Sequence, residues 1–181
     1  MNRVVTGFDA EGRPVVIAEG IPPTIIHAGR YTTTELWVSG RGPITPGDTD
    51  TSTQDWALEP PPGGACFRIV EIAPADDTVA DDAAADDTVA DDTVAIDRAA
   101  DGAVAAPGGA PDEHPEFQGA HATGTLDYVT ILQGEVTLVV GDREIVLRPG
   151  DSVVQQPGVP HDWQNRSDAP AVMAGVLLSA R

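Results

Sequence analysis

Apolar and polar positions in this chain alternate in short runs separated by turn residues, which predicts strands rather than helices. Arg3-Val4-Val5-Thr6 and Pro14-Val15-Val16-Ile17-Ala18 flank Asp9-Ala10-Glu11-Gly12 and read as a hairpin. Residues 32–38 and 66–72 are β-branched or apolar runs, and the proline, glycine and aspartate loop between them, 40–64, is expected to cross a barrel end. From residue 121 the signals become dense: strands are predicted at 121–132, 135–140, 144–147, 152–156, 161–165 and 171–178. Their links, Gln133-Gly134, Gly141-Asp142, Arg148-Pro149-Gly150-Asp151 and Arg166-Ser167-Asp168-Ala169-Pro170, are turn chemistry that joins antiparallel strands. So many closely spaced strands close into a barrel or jelly roll, which removes their edges.

One stretch breaks the pattern. Residues 75–94 repeat with a period of five, as in Ala85-Asp86-Asp87-Thr88-Val89 and Ala90-Asp91-Asp92-Thr93-Val94. That period matches neither strand nor helix, so no face collects apolar groups, and neighbouring aspartates repel. Pentapeptide-repeat solenoids share the period but need a bulky apolar residue at the unit centre, where Asp77, Asp82, Asp87 and Asp92 stand. Calcium binding is a further reading of paired carboxylates, although EF-hand spacing is absent. We expect a solvated insert over 75–110, strands flanking or completing the barrel over 1–74, and the barrel core over 111–181.

Length favours one domain. The formal charge of −19 disfavours nucleic acid and anionic membrane partners, whose phosphates such a field repels. Ten aspartates against one arginine between 76 and 101 supply nearly half of that charge. No apolar run approaches the roughly 20 residues that span a bilayer, and residues 1–10 lack a signal-peptide order, so the cytoplasm is the expected location. Cys66, the single cysteine, sits in a strand-like run and reads as a small buried hydrophobe.

The strand from residue 121 carries the candidate chemistry. Alternate side chains share a face, so His121, Thr123, Thr125, Asp127, Val129 and Ile131 point one way, polar at one end and apolar at the other. Facing into a barrel, such a strip builds a small-molecule pocket with a closed floor. His161 and Trp163 share a face in the same manner, and Trp163 can wall a ligand or fill the core. Tyr128 should face away, His114 reads as a loop residue, and nothing places Trp37 or Trp56 at the site.

The run Gly150-Asp151-Ser152-Val153-Val154-Gln155-Gln156-Pro157-Gly158-Val159-Pro160-His161-Asp162-Trp163-Gln164-Asn165 resembles the second motif of the cupin superfamily. Gly150, Gly158, His161 and Asn165 fit at the family's spacing, with Gln156 at the motif's proline position. The first motif is similar to His121-x-Thr123, Asp127 and Gly134, with Thr123 in place of a histidine and Asp127 in place of a glutamate. The resemblance implies a cupin-type jelly-roll β-barrel, all-β and single-domain, of a small single-barrel kind.

Carried over residue by residue, the resemblance implies that His121, Asp127 and His161 act both as metal ligands and as catalytic groups, with Thr123, Thr125 and Trp163 contacting substrate. Two imidazoles and a carboxylate suit a divalent transition metal such as iron, zinc, manganese or nickel. The leading expectation is a metal-dependent enzyme acting on a small carbonyl, enol, aromatic or carboxylate compound in secondary metabolism. The oxygenase, decarboxylase, isomerase and cyclase chemistries of cupins all stay open. One alternative is a barrel with no metal, in which His121, His161 and Asp127 exchange protons; another is a non-catalytic barrel that binds a small ligand. A homodimer is expected, and no nucleic acid or membrane partner.

Overall fold

A computed structural model describes residues 1–40, 50, 52, 56–75 and 119–180. The insert expected over 75–110 therefore lies, Ala75 apart, outside the described residues, as does His114. Among the described residues eleven strands form: β1 (Arg3–Phe8), β2 (Pro14–Gly20), β3 (Thr24–Ala28), β4 (Tyr31–Ser39), β5 (Ala65–Ile72), β6 (Thr125–Gln133), β7 (Val136–Val140), β8 (Arg143–Leu147), β9 (Ser152–Gln155), β10 (Asp162–Gln164) and β11 (Ala171–Ser179). No helix occurs among the described residues. The all-β expectation holds. Strand β3 was not foreseen, and the single strand expected over 121–132 begins only at Thr125.

Alternation turns into layers where strands such as β3, β6 and β11 bury every second side chain on one face. A six-stranded sheet runs β3-β4-β5-β11-β6-β9 and a three-stranded sheet runs β10-β7-β8, while β1 and β2 pair as a separate ribbon. Val136, Leu138, Leu147 and Trp163 from the short sheet meet Ile72, Val129, Ile131, Ala171 and Met173 from the long one in one core. Each buried Val, Leu, Ile or Met side chain among them contributes roughly 1.5–3 kcal/mol. The N-terminal strands β4 and β5 belong to the same long sheet, since β11 pairs β5 on one side and β6 on the other. The β1–β2 ribbon exposes Val4, Phe8, Val16 and Ile17. Arg3 ties it down, donating from Nη1 to the Leu36 carbonyl at 2.8 Å and pairing with Asp50.

Two motif residues turn out to hold the barrel together. Asn165 is fully buried. Its Nδ2 donates to the carbonyls of Ile72 (2.9 Å) and Ala169 (2.8 Å), and its Oδ1 accepts from the N–H and hydroxyl of Ser167. That uses the full capacity of the amide and clamps the end of β5 to the turn before β11. Gly134 turns the chain with φ of 73°, and a Cβ there would lie 2.6 Å from the Pro170 carbonyl oxygen and 2.8 Å from the Ala171 Cα. Both obstacles are backbone. Gly134→Ala is thus expected to cost roughly 2–4 kcal/mol, measurable by urea unfolding; a loss below about 0.5 kcal/mol would show the turn can relax.

Candidate active site

The two motif histidines meet through the backbone. His121 and His161 form an isolated antiparallel bridge, exchanging N–H to carbonyl bonds of 3.0 and 2.9 Å. Residues opposed in this way carry their side chains on one face at close range. The two rings lie 4.6 Å apart between centroids, tilted by 53°. His161 Nδ1 lies 3.0 Å from the Val159 carbonyl, which accepts only, so the neutral ring carries its proton there and its lone pair on Nε2. His121 Nδ1 faces the Gly119 carbonyl at a longer 3.4 Å.

Burial pushes His161 below the ordinary imidazole range, and His121 beside it adds to that. The Val159 carbonyl, Asp127 and Asp162 pull the other way. Asp127, on β6, lines the same cavity and is shifted upward, chiefly by burial, against the Thr125 hydroxyl and the charges of His161 and Arg68. Its Oδ1 is buried with no hydrogen-bond partner. The site thus pairs a carboxyl that resists ionising with an imidazole that resists protonation.

The cavity, of about 80 Å³, is built by both halves of the chain. His121, Thr123, Asp127, His161 and Trp163 line it, as the strip pattern predicts, and they are joined by Tyr31, Thr33, Arg68 and Met173, which sequence reasoning missed. Trp163 packs edge-on to His161 at 5.9 Å and is held where the Tyr31 hydroxyl donates to its carbonyl at 2.8 Å. Thr125 is fully buried but does not reach the cavity; its Oγ1 donates to Thr123 Oγ1 at 2.9 Å. The Thr33 hydroxyl, buried in the wall, has no partner. Gly175 stands between Arg68 and Val129 in the sheet and leaves the middle of the cavity open for want of a side chain.

Arg68 and Glu35 face each other across the β4–β5 ladder, 4% and 1% exposed, with Arg68 Nε 2.9 Å from Glu35 Oε1. Arg68 Nη1 donates to the carbonyl of Leu58 (2.9 Å), and Nη2 to the carbonyl of Ala57 (3.4 Å) and to Cys66 Sγ (3.0 Å). Cys66 is buried, and burial raises its thiol to about 11 despite Arg68, so it stays protonated, as a structural cysteine does.

The donor set for a metal fits only in part. Both imidazoles turn Nδ1 to the backbone and leave Nε2 for a ligand, and Asp127 Oδ1 is unpartnered. Yet among the described residues no three of the histidine, cysteine and carboxylate groups come close enough together to hold an ion. Thr123, at the position of the family's second histidine, contributes a hydroxyl already bonded to Thr125. The described residues therefore do not assemble a metal centre.

A sheet pair closed over a mouth that carries His121 and His161 defines a class of protein. Residues 106–178 match the family model of the cupin domain, so this stretch of the chain carries a cupin domain. Along 99% of its length it is similar to two fungal proteins. One is the phomopsin biosynthesis cluster protein C' of Diaporthe leptostromiformis, 26% identical over 191 residues, 79% of that protein. The other is the cupin-domain-containing oxidoreductase srdB of Neurospora crassa, 25% identical over 188 residues, 74% of that protein. Among solved structures, a cupin superfamily protein from Desulfitobacterium hafniense is 10% identical, with 84% of this chain and 80% of that one covered and a TM-score of 0.42.

The raised Asp127 carboxyl has a consequence for stability. A carboxyl whose folded pKa lies above its ordinary 3.8 weakens the fold once ionised, and the loss is complete above the raised value. Asp127→Asn is therefore expected to raise the melting temperature at pH 7, with the gain shrinking as pH falls through the raised value towards 3.8. A gain that grew on acidification would mean that the carboxylate is stabilised in the fold.

Proposed function

We propose that the protein is an enzyme that moves protons on a small organic molecule, His161 Nε2 acting as base and Asp127 Oδ1 holding a hydroxyl or enol of the substrate. The observation that carries this reading is the pairing, in one cavity, of an imidazole kept neutral by burial with a buried carboxylate oxygen that has no partner. An unpartnered buried acceptor is costly unless a ligand donates to it. Thr33 offers a hydroxyl to a substrate oxygen, and His121 lies against the His161 ring, able to take the proton onward.

The lining narrows the substrate. Apolar walls from Val70, Val129 and Leu177 favour a neutral carbon skeleton. A hydroxy-ketone or a 1,3-dicarbonyl compound meets these demands, since each has an acidic C–H beside an oxygen that can be held. The names of the fungal relatives, a biosynthetic cluster protein and an oxidoreductase, are in keeping with tailoring steps of secondary metabolism.

The test is exchange with solvent. In D2O, wild-type protein is expected to catalyse deuterium incorporation beside the carbonyl of small hydroxy-ketones and 1,3-dicarbonyls, read by proton NMR. The rate should climb with pH through the depressed His161 pKa and level off near neutrality. No incorporation across such a panel would defeat the reading. Elemental analysis of protein purified without oxygen should show no stoichiometric metal. One equivalent of iron, zinc, manganese or nickel, lost in His161→Ala, would replace acid-base chemistry by a metal-dependent reaction.

A further inference from the structure

A second cavity, of about 280 Å³, shares Arg68 with the first and is otherwise walled by different residues. Its apolar side is Trp56, Val38 and the run Pro60, Pro61 and Pro62. Its polar side is unusual in what it leaves undone. Glu35 Oε1 accepts from Trp56 Nε1 at 3.0 Å and pairs with Arg68, but Glu35 Oε2, in a residue only 1% exposed, has no partner. Ser52 is 4% exposed, and its Oγ is likewise unpartnered. The Ser52 backbone is fixed on both sides: its N–H donates to Asp50 Oδ1 at 2.9 Å and its carbonyl accepts from Thr24 Oγ1. The hydroxyl is thus held at the cavity by a braced main chain.

Buried polar atoms with no partner beside open space mark a place where a ligand's polar groups belong. The charge of the walls says which kind. Among the described lining residues Glu35 and Glu59 are set against one cation, Arg68, so the balance is negative. Arg68 is itself drawn to the fold, its Nη1 and Nη2 donating to the Leu58 and Ala57 carbonyls and Cys66 and its Nε lying 2.9 Å from Glu35 Oε1 as an ion pair without a hydrogen bond. An unpartnered carboxylate oxygen and a hydroxyl accept readily from N–H donors, most strongly from charged ones. The proline run and Val38 suit a short hydrocarbon body.

We propose that this second cavity binds a small organic cation bearing N–H donors, an alkylammonium or amidinium, through Glu35 Oε2 and Ser52 Oγ. The site is independent of the acid-base reading of the first cavity, because neither acceptor touches His121, Asp127 or His161.

Isothermal titration of the full chain at pH 7 with n-butylammonium, 1-butanol and butyrate tests it. Butylammonium should bind, and the two others, matched in size, should not. Ser52→Ala and Glu35→Gln should each weaken butylammonium binding by about tenfold or more. His161→Ala should leave it unchanged. Should Glu35→Gln fail to fold, Ser52→Ala decides, since that side chain bonds to nothing in the fold. Butanol binding as well as butylammonium, full affinity in Ser52→Ala, loss of binding in His161→Ala, or no heat at all, the cavity then holding water only, would each overturn the assignment.

Discussion

Arg68→Met should lower stability by about 3–5 kcal/mol, the loss expected when one member of a buried ion pair is removed. The substitution keeps most of the volume and takes away the positive charge paired with Glu35, which is 1% exposed. It also strips the Leu58 carbonyl of its donor and the Trp56 ring of the guanidinium stacked 5.6 Å from its centre. The carboxyl of Glu35 is already raised, chiefly by burial, with Arg68 the largest influence holding it down. In the variant it must rise further, so the lost stability should return as pH falls through the new value and Glu35 takes up a proton. Pairing Arg68→Met with Glu35→Leu should recover most of the loss even at pH 7, because a well-packed apolar pair often equals a buried ion pair. Urea unfolding of both variants at pH 5 and 7 checks this. A single variant within about 1 kcal/mol of wild type would mean that water reaches Glu35.

His161→Ala should slow deuterium exchange by about 10²- to 10⁴-fold, the usual contribution of a positioned acid-base group. The fold should survive, because His161 is tied to His121 by main-chain bonds that alanine keeps. What disappears is the lone pair on Nε2 and the edge contact with Trp163. Any residual exchange should lose the rise with pH that the depressed imidazole imposes, and this separates a missing base from a merely loosened cavity. Full activity in a folded His161→Ala protein would remove His161 from the chemistry.

Much of this site was legible along the chain because strand geometry is local. Period-two alternation put His121, Thr123, Asp127 and Val129 on one face, and the cavity has all four on its wall. It also put Thr125 there, yet Thr125 is spent supporting Thr123, since alternation reports a face and not a depth. The strand broke at residues 122–124, beside Gly124, whose N–H instead donates to Glu59 from the loop before β5. Tyr31, Thr33 and Arg68 were illegible for a different reason: they reach the cavity only through the pairing of β4 with β5 and of β5 with β11, contacts with no local trace. An arginine in an alternating strand reads as a solvated charge until its cross-strand partner Glu35 is known. Motif spacing named His121, Asp127 and His161 as candidate donors but could not fix how near they come, and Asp127 is one methylene shorter than the glutamate the family places there.

The order of the long sheet bears on how the polypeptide acquires its shape. Strand β11 lies between β5 and β6, with Met173 opposite Val70 on one side and Ile131 on the other. It leaves a translating ribosome after the other described strands, so until then two half-sheets wait with bare backbone edges and half-covered apolar faces. Contacts this distant in sequence make for slow kinetics and for intermediates prone to self-association. Nascent chains stopped before Ala171 should therefore precipitate or occupy chaperones, and refolding yield should fall steeply with concentration.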